Sequence, residues 1–271
     1  MNGEPVVSIY PEPSALAEAV AGRLLAKLVI VQAARGEATV VLTGGTLGIA
    51  TLAAVAASGK VDSVDWRRVN FWWGDERFVA KDSPDRNELQ ARQALLDQLD
   101  VDPARVHPAG SADEFDTVDS AAQAYADALR HAAAAEGTPV SPDLPGDVPR
   151  FDVLLLGMGP DAHIASLFPE LAGIRATGRS TVGVRDSPKP PPERVSLTLG
   201  AINSAAEIWL VVGGSDKAGA VGLALAGASP VQVPAAGVHG QRKTLWLLDE
   251  AAAAEVPRSL LDGSTDREDD R

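Results

Sequence analysis

Short runs of consecutive apolar residues alternate along the chain with longer stretches in which apolar positions return every three or four residues. The first kind suits strands covered on both faces, and the second suits amphipathic helices packed over them. Val6–Tyr10 (VVSIY), Ala38–Leu42 (ATVVL), Val69–Trp73 (VNFWW) and Phe151–Leu156 (FDVLLL) are the clearest strands. Further strands are predicted near Ser180–Val184, Arg194–Leu199, Glu207–Val212 and Thr244–Leu248. Leu16, Val20, Leu24 and Leu28 mark one helix face, with Ser14 as its expected cap and Gly36 as its stop. Other helices are expected at about Leu47–Ser58, Glu88–Leu99, Val118–Glu136 and Asp216–Leu225, and directly after His163. This alternation implies an α/β fold built on a mostly parallel, doubly wound sheet, with a small extra subdomain from the middle of the chain. The proline-rich stretch Gly137–Pro149 reads as a connection, and the polar ending Gly263–Arg271 has no apolar positions with which to pack. One domain is therefore expected over residues 1–256, followed by a disordered tail over 257–271.

Composition narrows the classes of function. The chain has 271 residues, 45% of them apolar, enough for a single large core. No apolar run approaches the roughly 18–20 residues that a membrane span needs, and the first residues lack the pattern of a signal peptide. There is no cysteine, which removes disulfides, thiolate metal sites and cysteine nucleophiles. A cytoplasmic protein is expected. The formal net charge of −13 argues against a nucleic-acid partner, since phosphate backbones demand a basic surface. It leaves room for a small anion held by a few local cations and backbone N–H groups. No long heptad or interface motif occurs, and a monomer is expected.

Ligands of open parallel sheets bind beyond the carboxyl ends of the strands, and four polar, glycine-bearing turns fall there. Thr43-Gly44-Gly45-Thr46 opens a helix, where free N–H groups favour a phosphate. It lacks the lysine and spacing of a P-loop, and a plain strand–helix turn is an equal reading of it. Asp75-Glu76-Arg77 offers a guanidinium to grip an anion and acids to orient it, although surface salt bridges are the commoner use of such a run. Asn87 lies near it and is also explained as a helix cap. Gly213–Lys217 brings Lys217 to another helix start. Arg185, Lys189 and Arg194 surround Pro190-Pro191-Pro192, a stiff stretch able to wall the strand ends. The fourth turn, Gly157–His163, is the most informative. His163 is one of four histidines, follows the most apolar strand, and has Asp161 two residues before it. Imidazoles titrate near neutral pH, so histidine is the ordinary base for activating water, and an adjacent carboxylate can set its tautomer. Ser166 lacks the G-x-S-x-G setting of an activated serine and reads as a cap or surface hydroxyl.

Gly157-Met158-Gly159-Pro160-Asp161-Ala162-His163, with Ala165-Ser166-Leu167-Phe168-Pro169, resembles the signature of the 6-phosphogluconolactonases. Thr43–Thr46, Trp73–Arg77, Lys189–Arg194, Asp216-Lys217-Ala218, Pro234-Ala235-Ala236 and Leu245–Asp249 match in the same order, so the resemblance spans Val6 to about Ala254. It implies a Rossmann-like three-layer sandwich shared with glucosamine-6-phosphate deaminase and ribose-5-phosphate isomerase. It also implies hydrolysis of 6-phospho-D-glucono-1,5-lactone, a sugar-phosphate lactone, with no metal and no cofactor. The family's catalytic histidine falls on His163 and its supporting aspartate on Asp161. Phosphate recognition falls on Thr43–Thr46, Arg77 and Lys217. Two departures stand out: Ala162 replaces a common glycine, and Thr43 and Gly48 stand where many members have serine and proline. The deaminase alternative is disfavoured because that family carries Asn-Glu-Pro where this chain has Ser166–Pro169. A DNA-binding sugar-phosphate sensor is disfavoured because the first strand begins within ten residues and the charge is acidic. Ala162 keeps a catalytically dead binding protein among the readings.

Overall fold

The computed structural model describes residues 5–137, 148–257 and 260. The proline-rich connection and the tail therefore lie mostly outside the described residues. β1 (Val6–Tyr10) leads into α1 (Pro13–Arg35), β2 (Ala38–Leu42), α2 (Gly45–Ala57) and β3 (Val69–Trp73). A short β4 (Asp75–Arg77) follows, then α3 (Asn87–Ala94), α4 (Val118–Glu136) and β5 (Val153–Leu156). The remainder is β6 (Thr181–Val184), β7 (Arg194–Leu197), α5 (Leu199–Asn203), β8 (Glu207–Val212), α6 (Ala218–Leu225) and β9 (Lys243–Asp249).

Six strands form a wholly parallel sheet in the order β1-β9-β8-β5-β2-β3. Alternate residues feed two separate cores. Val40, Leu42, Val153, Leu155, Trp209 and Val211 pack with α1, α2 and α3 on one face. Val41, Leu154, Leu156, Ile208, Leu210 and Val212 pack with α4, α5 and α6 on the other. The apolar runs of the central strands β2 and β5 are continuous because each of their residues is buried under a helix layer on its own side, and the result is the expected three-layer sandwich. Among the described residues, no helix is long and apolar enough to cross a membrane.

The chain winds from β2 outward to β3 in one direction and from β5 through β8 to β9 in the other. The crevice at this reversal lies between β2 and β5, where the Gly157 N–H donates to Thr43 Oγ1 at 3.3 Å. The small subdomain is the antiparallel sheet β4-β7-β6. At Gly74 the chain passes from one sheet to the other. Its N–H donates to Leu42 O at 3.0 Å, while its carbonyl accepts from the Leu197 N–H at 2.9 Å. Tyr125 of α4 fixes this exit, its hydroxyl bonding both the N–H and the carbonyl of Trp73 at 2.9 Å.

Several expected boundaries change. α1 starts at Pro13 with Glu12 as its cap residue, and Ser14 donates to the Glu12 carboxylate at 2.7 Å instead of capping the helix. Gly36 ends it in the left-handed conformation, as expected. α3 stops at Ala94 and tightens into a 3-10 turn at Leu96–Gln98. The expected strand over Arg194–Leu199 ends at Leu197, and α5 takes over. The helix expected directly after His163 does not form. Ala162 and Ala165 adopt positive φ, 64° and 47°, which turns the chain out of the right-handed helix and folds Met158, Ile164 and Leu167 into isolated bridges.

Candidate active site

Because β2, β3, β5 and β8 are parallel, their carboxyl-end turns converge on one cleft of about 320 Å³. His163, Thr43, Gly44, Gly45, Asp75, Arg77 and Asn87 line it, joined by Arg194 and Lys217. An adjoining, more apolar groove of about 670 Å³ shares Gly44, Gly45 and Lys217 and adds Thr46. The sequence motifs therefore meet in space, with one exception. Arg185 lies outside the cleft: it is exposed, donates to both Asp119 carboxylate oxygens at 3.1 and 2.7 Å, and lies 3.9 Å from Glu193. Its position just past β6 turns it outward, so the expectation that it would wall the site is corrected.

His163 is held by its own loop. The Gly159 N–H donates to His163 O at 3.0 Å, the Ala162 N–H donates to Gly159 O at 2.9 Å, and the Ala235 N–H donates to Ala162 O at 3.1 Å. The imidazole Nδ1 lies 2.5 Å from Asp161 Oδ1. A carboxylate only accepts, so Nδ1 carries the proton of this contact, and in the neutral imidazole the lone pair is then on Nε2. Burial raises the Asp161 carboxyl, but the hydrogen bond and charge of His163, with Lys189 beyond, hold it below the ordinary carboxylate range. The ring packs at 4.6 Å against Phe168, over which the Arg194 guanidinium sits at 5.7 Å. Gly159 is indispensable to the arrangement, because a Cβ there would stand 2.1 Å from the imidazole and 2.5 Å from Asp161 Oδ1.

Four cations face this histidine across the cleft in different ways. Arg77 donates through Nη1 to Asp85 O at 2.7 Å, and its buried Nε has no hydrogen-bond partner among the described residues. Lys217 donates to Gly213 O at 3.0 Å and lies 3.3 Å from Asp216. Arg194 is 3% exposed, and its guanidinium bonds the carbonyls of Pro191, Lys189 and Pro190 at 3.1, 2.8 and 3.3 Å. It thereby holds the proline stretch in place, which keeps Lys189 on the rim of the cleft. Burial lowers the Arg194 pKa, with Asp75 opposing the shift. The positive local field thus coexists with the net charge of −13.

Three buried groups were not anticipated. Ser166, expected as a cap or surface hydroxyl, is fully buried and donates to Asp75 Oδ2 at 2.6 Å, tying the histidine loop to β4. Glu76 is 1% exposed and accepts from the backbone N–H groups of Arg77, Asn87 and Glu88 at 2.8, 2.7 and 2.9 Å. Its burial pushes it up to about 7, against the lowering pull of Arg86 and those three N–H groups. Asp249, at the end of β9, accepts from the Gly214 N–H and shapes the loop that carries Lys217. The available signal was strand alternation: adjacent residues of β4 must face opposite ways, so Asp75 and Glu76 could not both reach solvent.

A family model described as glucosamine-6-phosphate isomerases/6-phosphogluconolactonase matches residues 11–246, and the chain belongs to that family. The 6-phosphogluconolactonase of Streptomyces coelicolor is 51% identical over 262 residues, covering 96% of this chain and 98% of that protein. The solved 6-phosphogluconolactonase of Trypanosoma brucei superposes with a TM-score of 0.79 at 26% identity, over 95% of this chain and 100% of that one. A monomeric glucosamine-6-phosphate deaminase superposes with a TM-score of 0.73 at 18% identity, over 92% of this chain and 99% of that one, and shares the fold.

Proposed function

We propose that this chain hydrolyses 6-phospho-D-glucono-1,5-lactone to 6-phospho-D-gluconate, the second step of the oxidative pentose phosphate pathway, with His163 as the base that activates water. The observation that carries the assignment of roles is the His163–Asp161 pair, set at the strand-end cleft with its second ring nitrogen free. Nε2 takes a proton from water as the water oxygen bonds to the lactone carbonyl carbon. The carbonyl electrons move onto oxygen, where donors of the cleft stabilise the charge. Collapse restores the carbonyl and breaks the bond to the ring oxygen, which receives the proton from Nε2. Asp161 steadies the imidazolium between these transfers. The phosphate is held by the first N–H groups of α2 in the Thr43–Thr46 turn, together with Arg77 and Lys217. The same reading makes the protein a cytoplasmic monomer acting on a small sugar phosphate, with no nucleic-acid partner.

The direct test is the rate of 6-phosphogluconate formation from freshly generated lactone, set against spontaneous hydrolysis. Acceleration is expected, and its absence in the folded protein would overturn the reading. Lys217→Ala should raise KM roughly tenfold to a hundredfold with little change in kcat, because it removes one charged contact to a distant phosphate. A kcat effect of equal size would move Lys217 to the reacting centre.

Ala162 bears on whether the site is competent. Its φ of 64° costs a non-glycine residue about 1–2 kcal/mol. That strain is local to the backbone and leaves the His163–Asp161 contact formed at 2.5 Å. Ala162→Gly relieves it but gives up about 0.5–1 kcal/mol to unfolded-state entropy. Turnover is expected to stay unchanged and Tm to move by only a few degrees. A large gain in kcat would mean that alanine distorts the dyad.

A further inference from the structure

β4 is three residues long, yet it joins β7, the histidine loop and α3. Its backbone pairs with β7, Asp75 reaches the histidine loop through Ser166, and Arg77 faces the cleft. Glu76 points the opposite way, into the base of α3. The residue at the cap position of that helix is Arg86, which supplies no side-chain cap. Glu76 takes over that task from ten residues upstream. Oε1 accepts from Arg77 N and Asn87 N, while Oε2 accepts from Glu88 N and lies 3.6 Å from Arg86 Nη2. A carboxylate serving a helix start from a neighbouring strand locks the first residue of that helix in position.

The first residue of α3 is Asn87, 1% exposed. Its Nδ2 donates to Asp75 O at 2.9 Å, which fixes the amide orientation, since a flipped amide would set oxygen against a carbonyl. Asn87 Oδ1 is buried, has no hydrogen-bond partner among the described residues, and occupies the space beside Gly44, 1.9 Å from where a Cβ would stand. The glycine turn therefore rests directly on the Asn87 side-chain amide, which is anchored by its bond to the Asp75 carbonyl, while Glu76 holds the Asn87 backbone N–H. A buried acceptor pressed against backbone is an unsuitable ligand for a phosphate dianion, which also only accepts. Asn87 acts from behind the turn.

We propose that Glu76 is a positioning residue for substrate binding, acting through Asn87 to hold the Gly44–Gly45 turn at the depth where its N–H groups meet the anion. The proposal rests on the phosphate site assigned above. It separates binding from chemistry, because the relay's hydrogen bonds run from α3 to Glu76 and from Asn87 to the Asp75 carbonyl, none of them to the His163 ring, whose loop is tied to β4 through the Asp75 carboxylate and Ser166.

Glu76→Gln is nearly isosteric but sets an amide N–H₂ against the Glu88 N–H and Arg86. KM should rise roughly tenfold with kcat within about twofold of wild type, since one charged hydrogen-bonding role is lost. Asn87→Ala should give the same split, and it covers the case in which Glu76→Gln does not fold. The double variant should be no worse than the more severe single one, because the two residues act in series. Calorimetric titration with 6-phosphogluconate gives a readout free of turnover, and its Kd should weaken in step with KM. Unchanged Kd and KM in a variant of lowered Tm would show a structural role only and overturn the proposal. So would additive effects in the double variant, or a fall in kcat matching the rise in KM. Failure of the wild type to accelerate lactone hydrolysis would strike at the activity assignment, while the Kd comparison would still decide the relay.

Discussion

Alanine in place of His163 is expected to lower kcat for lactone hydrolysis by about 10²–10⁴-fold, the usual worth of a positioned general base, with KM within a few-fold of wild type. The imidazole lines the cleft with its Nδ1 engaged by Asp161 at 2.5 Å, so in the neutral ring the basic lone pair is on Nε2. The side chain is 14% exposed, which leaves a path for water while Phe168 restrains the ring. Asparagine at 163 keeps polarity and much of the volume but cannot take the proton, so it should be as impaired as alanine. Initial rates of 6-phosphogluconate formation for the three proteins, corrected for spontaneous hydrolysis, decide this. An asparagine variant as fast as wild type would remove His163 from the chemistry and leave it a structural contact of its loop. A variant whose KM rises while kcat is kept would make it a substrate ligand instead.

How much of this was legible in the sequence depended on whether a residue's environment is set by its neighbours along the chain. Ala38–Leu42 and Phe151–Leu156 are apolar on consecutive residues because helices cover both faces of the sheet, and that leaves a plain mark. Parallel strands then force their glycine turns to one edge, so Thr43–Thr46, Arg77, His163 and Lys217 could be grouped before any distance was known. The stretch after His163 reads as a helix because Ile164, Leu167 and Phe168 mimic helical spacing. What decides their path is the left-handed backbone at Ala162 and Ala165, and nothing about alanine announces it. Glu76 and Ser166 were hidden for a related reason. Each is a polar residue buried by partners far along the chain, Glu76 by α3 and Ser166 by β4. Arg185 and Arg194 looked equivalent around the prolines, yet one ends outside in an ion pair and the other inside under three carbonyls. Local sequence carries no signal that separates such a pair.

Gly159→Ala is expected to reduce kcat by about 10²-fold, approaching the loss caused by removing the histidine, since misplacing a catalytic group by about 1 Å can cost that much. Gly159 has neither a positive φ nor any role in the chemistry, so on composition alone the change is mild. The effect comes from what stands beside its Cα. An added methyl would lie 2.1 Å from both Cε1 and Nδ1 of His163 and 2.5 Å from Asp161 Oδ1, well inside contact distance. The ring cannot give way behind, because Phe168 is packed at 4.6 Å and is itself 2% exposed. Backbone movement is opposed by the bonds that close the loop, from Gly159 N to His163 O and from Ala162 N to Gly159 O. The least costly response is for His163 to leave its position against Asp161, which undoes the tautomer and points Nε2 away from the substrate. Gly159 lies in a loop whose Met158, Ala162 and Ile164 pack in the core, so Tm should fall as well, while product binding by the folded protein should persist. If Gly159→Ala turned over lactone like wild type, the His163–Asp161 contact would be dispensable, and the water would have to be activated by another group of the cleft.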